Sequence, residues 1–260
     1  MVRSIRNISY KNDTHNKQNT LDVYYSSKDS LRDVLVFVHG GKWKHGHKNR
    51  YKFLGRNFVR KGLVTVIIDY SLSPNQIDKI AEDCAAAIIW VHQYISKYGG
   101  NPNRIFLMGY SSGGHLIEFI NSNTRFFDQY NMTNPIYGII LLDAFGLDMC
   151  EYLKQTSSKT NKHYNTYIQV CSNDPKKWSQ ASSMKYWKNI RNPHLILIGG
   201  RTYPVIQTQN RHLFGNLIIL QKAPAEFYEI PRRHHTQMII YMIFSRSQQY
   251  DIILNFMRSN

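Results

Sequence analysis

The 260 residues, 42% hydrophobic and 19% charged, supply enough apolar side chains for a sizeable core, which excludes a disordered tail or a collagen-like repeat. No run of eighteen apolar residues occurs, and residues 1–10 carry Arg3 and Arg6 without an apolar stretch, so a soluble, cytoplasmic protein with no membrane span and no secretory leader is expected. A balance of 33 Lys+Arg against 17 Asp+Glu gives a formal charge of +16, which attracts acidic partners in general, but no helix-turn-helix, RRM or zinc-finger pattern points to specific nucleic-acid binding.

In chain order, 4–10 and 21–25 read as an antiparallel edge ahead of 34–38 (VLVFV), a continuous β-branched run typical of a strand buried on both faces. The segment 42–61 holds eight Lys or Arg residues and no carboxylate. It is read as a solvated cationic face, with Phe53, Leu54, Phe58 and Val59 turned inward. A second buried strand follows at 64–68 (VTVII), then a helix over 77–98 with Ile80, Cys84, Ala87, Ile88, Val91 and Ile95 on one face and Gly99-Gly100 as its stop. Strands are predicted at 105–108, 139–142, 195–198 and 227–230, with helices from Ser112 and over 250–257. This alternation predicts one α/β domain over 1–260, a mostly parallel central sheet with helices on both faces. The polar, aromatic-rich stretch 145–192 breaks the pattern and is read as a small cap or lid insertion. Cys84, Cys150 and Cys171 are odd in number and lack CxxC spacing, so buried reduced thiols are expected rather than disulfides or a zinc site.

Gly109-Tyr110-Ser111-Ser112-Gly113 falls between a predicted strand and a predicted helix, where a sharp turn presents a serine nucleophile above the sheet and crowds its neighbours enough to need glycine two residues before and after. Ser111 is the candidate nucleophile. His39-Gly40-Gly41 ends the 34–38 strand, and the N–H groups of Gly40, Gly41 and Ser112 are candidates for an oxyanion hole. His39, Trp43 and Tyr110 flank these motifs and are expected at the substrate, His39 by ordering its loop rather than as a base.

These motifs, with Leu21-Asp22-Val23-Tyr24 and the 69–74 run DYSLSP, resemble the α/β-hydrolase superfamily, in particular its HGG-bearing carboxylesterase branch of hormone-sensitive-lipase-like and kynurenine-formamidase-like enzymes. The resemblance spans nearly the whole chain and implies the α/β-hydrolase fold, a serine nucleophile, a histidine base after the last strand, an orienting carboxylate, and neither cofactor nor metal. It places the base four residues after Pro231, at His235, with the adjacent His234 as the alternative. The acid normally follows the 195–198 strand, but that loop reads GGRTYPV, with Tyr203 in the acid's place. Asp143, at the end of 139–142, is taken instead, with Asp148 or a carboxylate-free Ser-His pair as alternatives. The implied activity is hydrolysis of a small-molecule ester of small or medium size through an acyl-enzyme, and the positive charge adds anionic esters to the expected substrates. Hydrolysis of an aryl formamide, or non-catalytic binding on a decayed scaffold, are the other readings.

Overall fold

A computed structural model describes residues 1–11, 18–26, 31–156 and 161–260. Its sheet comprises β1 (Arg3–Ser9), β2 (Thr20–Tyr25), β3 (Arg32–Val38), β4 (Val64–Ile68), β5 (Gly100–Tyr110), β6 (Ile136–Leu142), β7 (His194–Gly199) and β8 (Ala225–Ile230). The spatial order is β1-β2-β4-β3-β5-β6-β7-β8, with β2 antiparallel to both its neighbours and every other pair parallel. The helices are α1 (Lys52–Arg60), α2 (Ile77–Tyr94), α3 (Ser112–Ser122), α4 (Arg125–Asp128), α5 (Met149–Gln155), α6 (Tyr164–Cys171), α7 (Pro204–Leu220), α8 (His235–Ile240) and α9 (Gln248–Ser259).

Because side chains alternate along a strand, β3 sends Val34, Val36 and Val38 into one apolar layer and Leu35 and Phe37 into the other. The first layer is closed by α2, α3 and α7, the second by α1, α8 and α9. Helices on both faces therefore bury the apolar runs 34–38, 64–68 and 105–110 of the central strands. Gly99, at φ 77, ends the predicted helix after a last 3-10 turn over Ile95–Tyr98. The winding direction reverses at β3, whose neighbours are β4 and β5, and the loops leaving β3 and β5 meet at their carboxyl ends. Open α/β sheets place their clefts at such a reversal.

Two expectations need correction. Lys48 does not sit on a solvated face: it is 1% exposed, its Nζ bonds Asn7 Oδ1 at 2.6 Å and lies 3.2 Å from Asp22 and 3.8 Å from Asp69. Two buried carboxylates on β2 and just after β4 require a cation, and the lysine that supplies it pins the loop after β3 to the sheet. Cys84 and Cys171 are buried, whereas Cys150 is only half-buried. No helix was predicted over α7, because its inward face is interrupted: between the buried Ile206 and Leu213 lie Gln209 and Asn210. These amides hold the loop after β6, Asn210 donating to Ala144 O at 2.8 Å and Gln209 Nε2 to Asp148 O at 2.7 Å.

The segment 145–192, of which 157–160 lie outside the described residues, carries α5, α6 and short 3-10 turns between β6 and β7. His115 ties α3 to it, its ring N–H donating to Ala181 O at 2.8 Å. Burial, only partly offset by that bond, pulls the His115 pKa from 6.5 to about 4. The folded state thus prefers neutral His115, and the stability it contributes is complete above about pH 6.5 and lost as pH falls toward 4, a swing of about 3 kcal/mol. Urea unfolding of the wild type should therefore lose about 2 kcal/mol more between pH 7 and pH 4.5 than the His115→Gln variant does. Equal losses would show that His115 does not bury its neutral form.

Candidate active site

Ser111 stands at the tip of the turn from β5 into α3 with φ 54 and ψ −125, a conformation that costs a non-glycine residue about 1–3 kcal/mol. The turn is over-determined by contacts that only glycines permit. A Cβ at Gly109 would lie 2.5 Å from Gly113 O, one at Gly113 2.2 Å from Val38 O, and one at Gly40 2.8 Å from Ser111 Cβ. Ser111 N donates to Leu142 O at 3.1 Å and its carbonyl accepts from Phe145 N and Gly114 N, so the turn is tied to the end of β6 as well.

The Ser111 hydroxyl lies 3.0 Å from His235 Nε2, and His235 Nδ1 lies 2.7 Å from Asp143 Oδ2. A carboxylate can only accept, so the proton of neutral His235 resides on Nδ1, which leaves Nε2 to accept the Ser111 proton. Asp143 is fully buried at φ 51, and its other partners are the Gly199 N–H at 2.8 Å and the Thr202 hydroxyl on Oδ2. Gly199 ends β7 and Thr202 lies in the loop that follows it. Since β6 and β7 are adjacent, a carboxylate at the end of β6 reaches the imidazole while the end of β7 and the loop after it, which has no acid of its own, hold it by donors. Asp148 is elsewhere: it caps α5, accepting from Glu151 N at 2.9 Å. His234 precedes α8, its backbone N–H donating to Gln237 Oε1 at 3.0 Å and its Nδ1 donating to Arg201 O at 3.0 Å, so the two adjacent histidines have different partners. Tyr203 is 60% exposed at the N-terminus of α7, its ring 5.4 Å from that of His235.

The glycine loop reaches the serine turn, but Gly41 N–H donates to Ser112 Oγ at 3.1 Å, and Trp43 N–H approaches the same oxygen at 3.4 Å. Ser112 N–H, at the first position of α3, has no place in the intrahelical ladder. Ser111 and His235 open onto a cavity of about 1050 Å³ walled by Phe145, Tyr152, Tyr167, Tyr203, Val205 and Ile206, with Lys42, Lys162 and His163 on its rim. The 145–192 segment therefore supplies much of the wall, while its Trp178 and Tyr186 belong to the core and not to the cavity lining.

The three residues expected at the substrate do not line this cavity. His39 is buried beneath the loop, its ring between Gly40 O at 3.0 Å and Asp69 at 3.4 Å, where it orders the glycines. Trp43 is fully buried against Phe145 and Tyr167, one layer behind the wall. Tyr110 stacks on His235 with ring centres 5.0 Å apart and donates its hydroxyl to His235 O at 3.1 Å. Burial first, and Asp143 second, raise its pKa far above the usual phenol value, so it remains a neutral donor. The missed participant is Thr202; a hydroxyl in the loop where an acid is customary was the available signal.

The eight-stranded sheet with helices on both faces is an α/β-hydrolase fold. The chain belongs to the BD-FAE family, whose profile matches residues 21–217. Among individual proteins it is similar to isoprenylcysteine alpha-carbonyl methylesterase ICME of Arabidopsis thaliana, 39% identical over 101 residues, 38% of this chain and 24% of the relative. It is also similar to esterase LipQ of Mycobacterium tuberculosis, 26% identical over 235 residues, 84% of this chain and 54% of the relative. Esterase B from Lactobacillus rhamnosis shares the fold with a TM-score of 0.82 at 15% identity, over 99% of this chain and 84% of that one. The chain thus spans about a quarter to a half of the length of these curated relatives.

Thr202→Val removes one donor from Asp143 at nearly constant volume, and about a tenfold fall in kcat/KM on an activated ester is expected. His234→Ala should stay within about threefold of wild type, since it loses only a hydrogen bond to Arg201 O that lies outside the Ser111–His235–Asp143 relay. The reverse ranking, in parallel assays on folded protein, would contradict this geometry.

Proposed function

We propose that the protein is a serine carboxylesterase that hydrolyses small or medium esters through an acyl-enzyme on Ser111. The observation that carries this reading is the unbroken relay Ser111–His235–Asp143 at the mouth of an aromatic-walled cavity. Ser111 Oγ attacks the ester carbonyl carbon while its proton passes to His235 Nε2; the tetrahedral intermediate then expels the alkoxide, which takes that proton. Water, deprotonated by His235, attacks the acyl carbonyl, the bond to Ser111 Oγ breaks, and the serine recovers its proton as the acid leaves. Asp143 holds the imidazole and stabilises its charged form throughout. The amides of Gly40, Gly41 and Ser112 receive the oxyanion, with Gly41 exchanging its bond to Ser112 Oγ for one to the substrate.

An intact relay with a fully hydrogen-bonded acid favours catalysis over binding on a decayed scaffold. Amide or formamide hydrolysis would use the same groups, with proton delivery to the leaving nitrogen more demanding. Ser111→Ala should lower turnover of a 4-nitrophenyl ester by several orders of magnitude with unchanged circular dichroism, and Asp143→Asn should lower it by about three to four orders. Near-native turnover by folded Ser111→Ala would overturn the mechanism.

A further inference from the structure

The lining of the cavity is mixed in chemistry. Phe145, Tyr167, Val205 and Ile206 supply apolar surface, whereas Lys42, Lys162 and His163 supply basic groups, with His163 beside Tyr167 at 6.2 Å between ring centres. Among the described residues, no Asp or Glu lines the cavity, and none pairs with Lys42, Lys162 or His163; Asp143 is sequestered behind His235. Lys42 Nζ donates to His163 Nε2 at 2.7 Å. An ammonium has three N–H donors, and this bond occupies one. His163 is itself fixed at the start of α6, its backbone N–H bonded to Asn161 Oδ1 at 3.0 Å, and Asn161 Nδ2 donates in turn to Tyr152 Oη at 3.1 Å. Lys42 is thus held within the cavity lining by a hydrogen-bonded chain that runs through His163 and Asn161 to Tyr152.

Burial and neighbouring cations act on both groups in the same direction. The Lys42 pKa is lowered, by partial burial first and by Lys162 second. That of His163 is lowered by desolvation first and Lys42 next, which keeps its Nε2 free to accept. An anion placed here would relieve both. Position adds the reach: Lys42 follows Gly41 directly, so its four-carbon stem starts beside the amides that face the ester carbonyl.

We infer that Lys42, held by His163 and reinforced by Lys162, is an anion subsite that selects esters carrying a carboxylate a few bonds from the scissile carbonyl. This rests on the esterase reading above and adds a substrate class to it.

The test compares kcat/KM for charge pairs of matched shape. On the acyl side, mono-4-nitrophenyl succinate is set against 4-nitrophenyl 4-methylpentanoate; on the alcohol side, 3-acetoxyphenylacetate against 3-acetoxyphenylacetamide. In at least one pair the wild type should favour the anion by about tenfold at low salt, and the preference should shrink in 0.5 M NaCl. The ratio should fall to about one in Lys42→Met, be largely restored in Lys42→Arg, and fall partway in Lys162→Met, which serves should Lys42→Met fail to fold. Wild-type ratios at or below one in both pairs, or ratios unchanged in Lys42→Met and Lys162→Met, would overturn the subsite while leaving the esterase reading intact. Turnover of neither the charged nor the neutral esters would instead be the failure of the esterase reading itself.

Discussion

A serine at φ 54 and ψ −125 persists only where the surrounding backbone allows it no relaxed alternative, and much of this molecule is arranged to that end. Gly109 and Gly113 close on each other beneath the turn, Gly40 closes on it from the loop after β3, and Gly114 packs against Ala144 from the loop after β6. Three neighbouring strands therefore converge on one residue, and the strain is held by a sheet whose central strands are buried on both faces. The loop after β3 is in turn fixed by the buried Lys48, Asp22 and Asp69 and by His39, so that charges far from the cavity determine where its glycine amides stand. Removing one partner of that cluster would leave a buried charge uncompensated, which is the costly way to break such a site.

The carboxylate is solved differently from the nucleophile. Asp143 comes from the end of β6; the end of β7 contributes a backbone N–H and the loop after it, which has no acid, a hydroxyl, and these hold the carboxylate. What the imidazole requires is a negative oxygen at hydrogen-bond distance from Nδ1, and adjacent parallel strands end close enough that either can deliver it. Asn210 and Gln209 of α7 brace the same loop after β6 from the other side, which explains polar residues on the inward face of an otherwise core-packed helix.

Much of this was legible in the sequence where the signal was local. VLVFV and VTVII, GYSSG at a strand-to-helix junction and the glycine stop at Gly99 each follow from short-range sterics or burial, and the sheet, its edge and the serine turn lie where those patterns put them. Less was legible where a residue's part is set by distant partners. Lys48 looked like one more surface cation because Asp22 and Asp69 are separated from it in sequence by about 20 residues or more. Trp43 and His39 sat beside the right motif yet turned into the core, since adjacency in sequence does not say which way a side chain points. Thr202 and the rim of Lys42 and His163 depend on pairings across 59 and 121 residues, which no periodicity encodes.

The central claim is that Ser111 is activated through His235. Its most direct measurement is the rate and position of covalent labelling by a fluorophosphonate, read by intact mass and peptide mapping, because this reports the nucleophile without any assumption about the natural substrate. A single adduct on Ser111, forming at least about 100-fold more slowly in His235→Ala, is the predicted result. An adduct on another residue, or an unchanged rate in His235→Ala, would contradict the account.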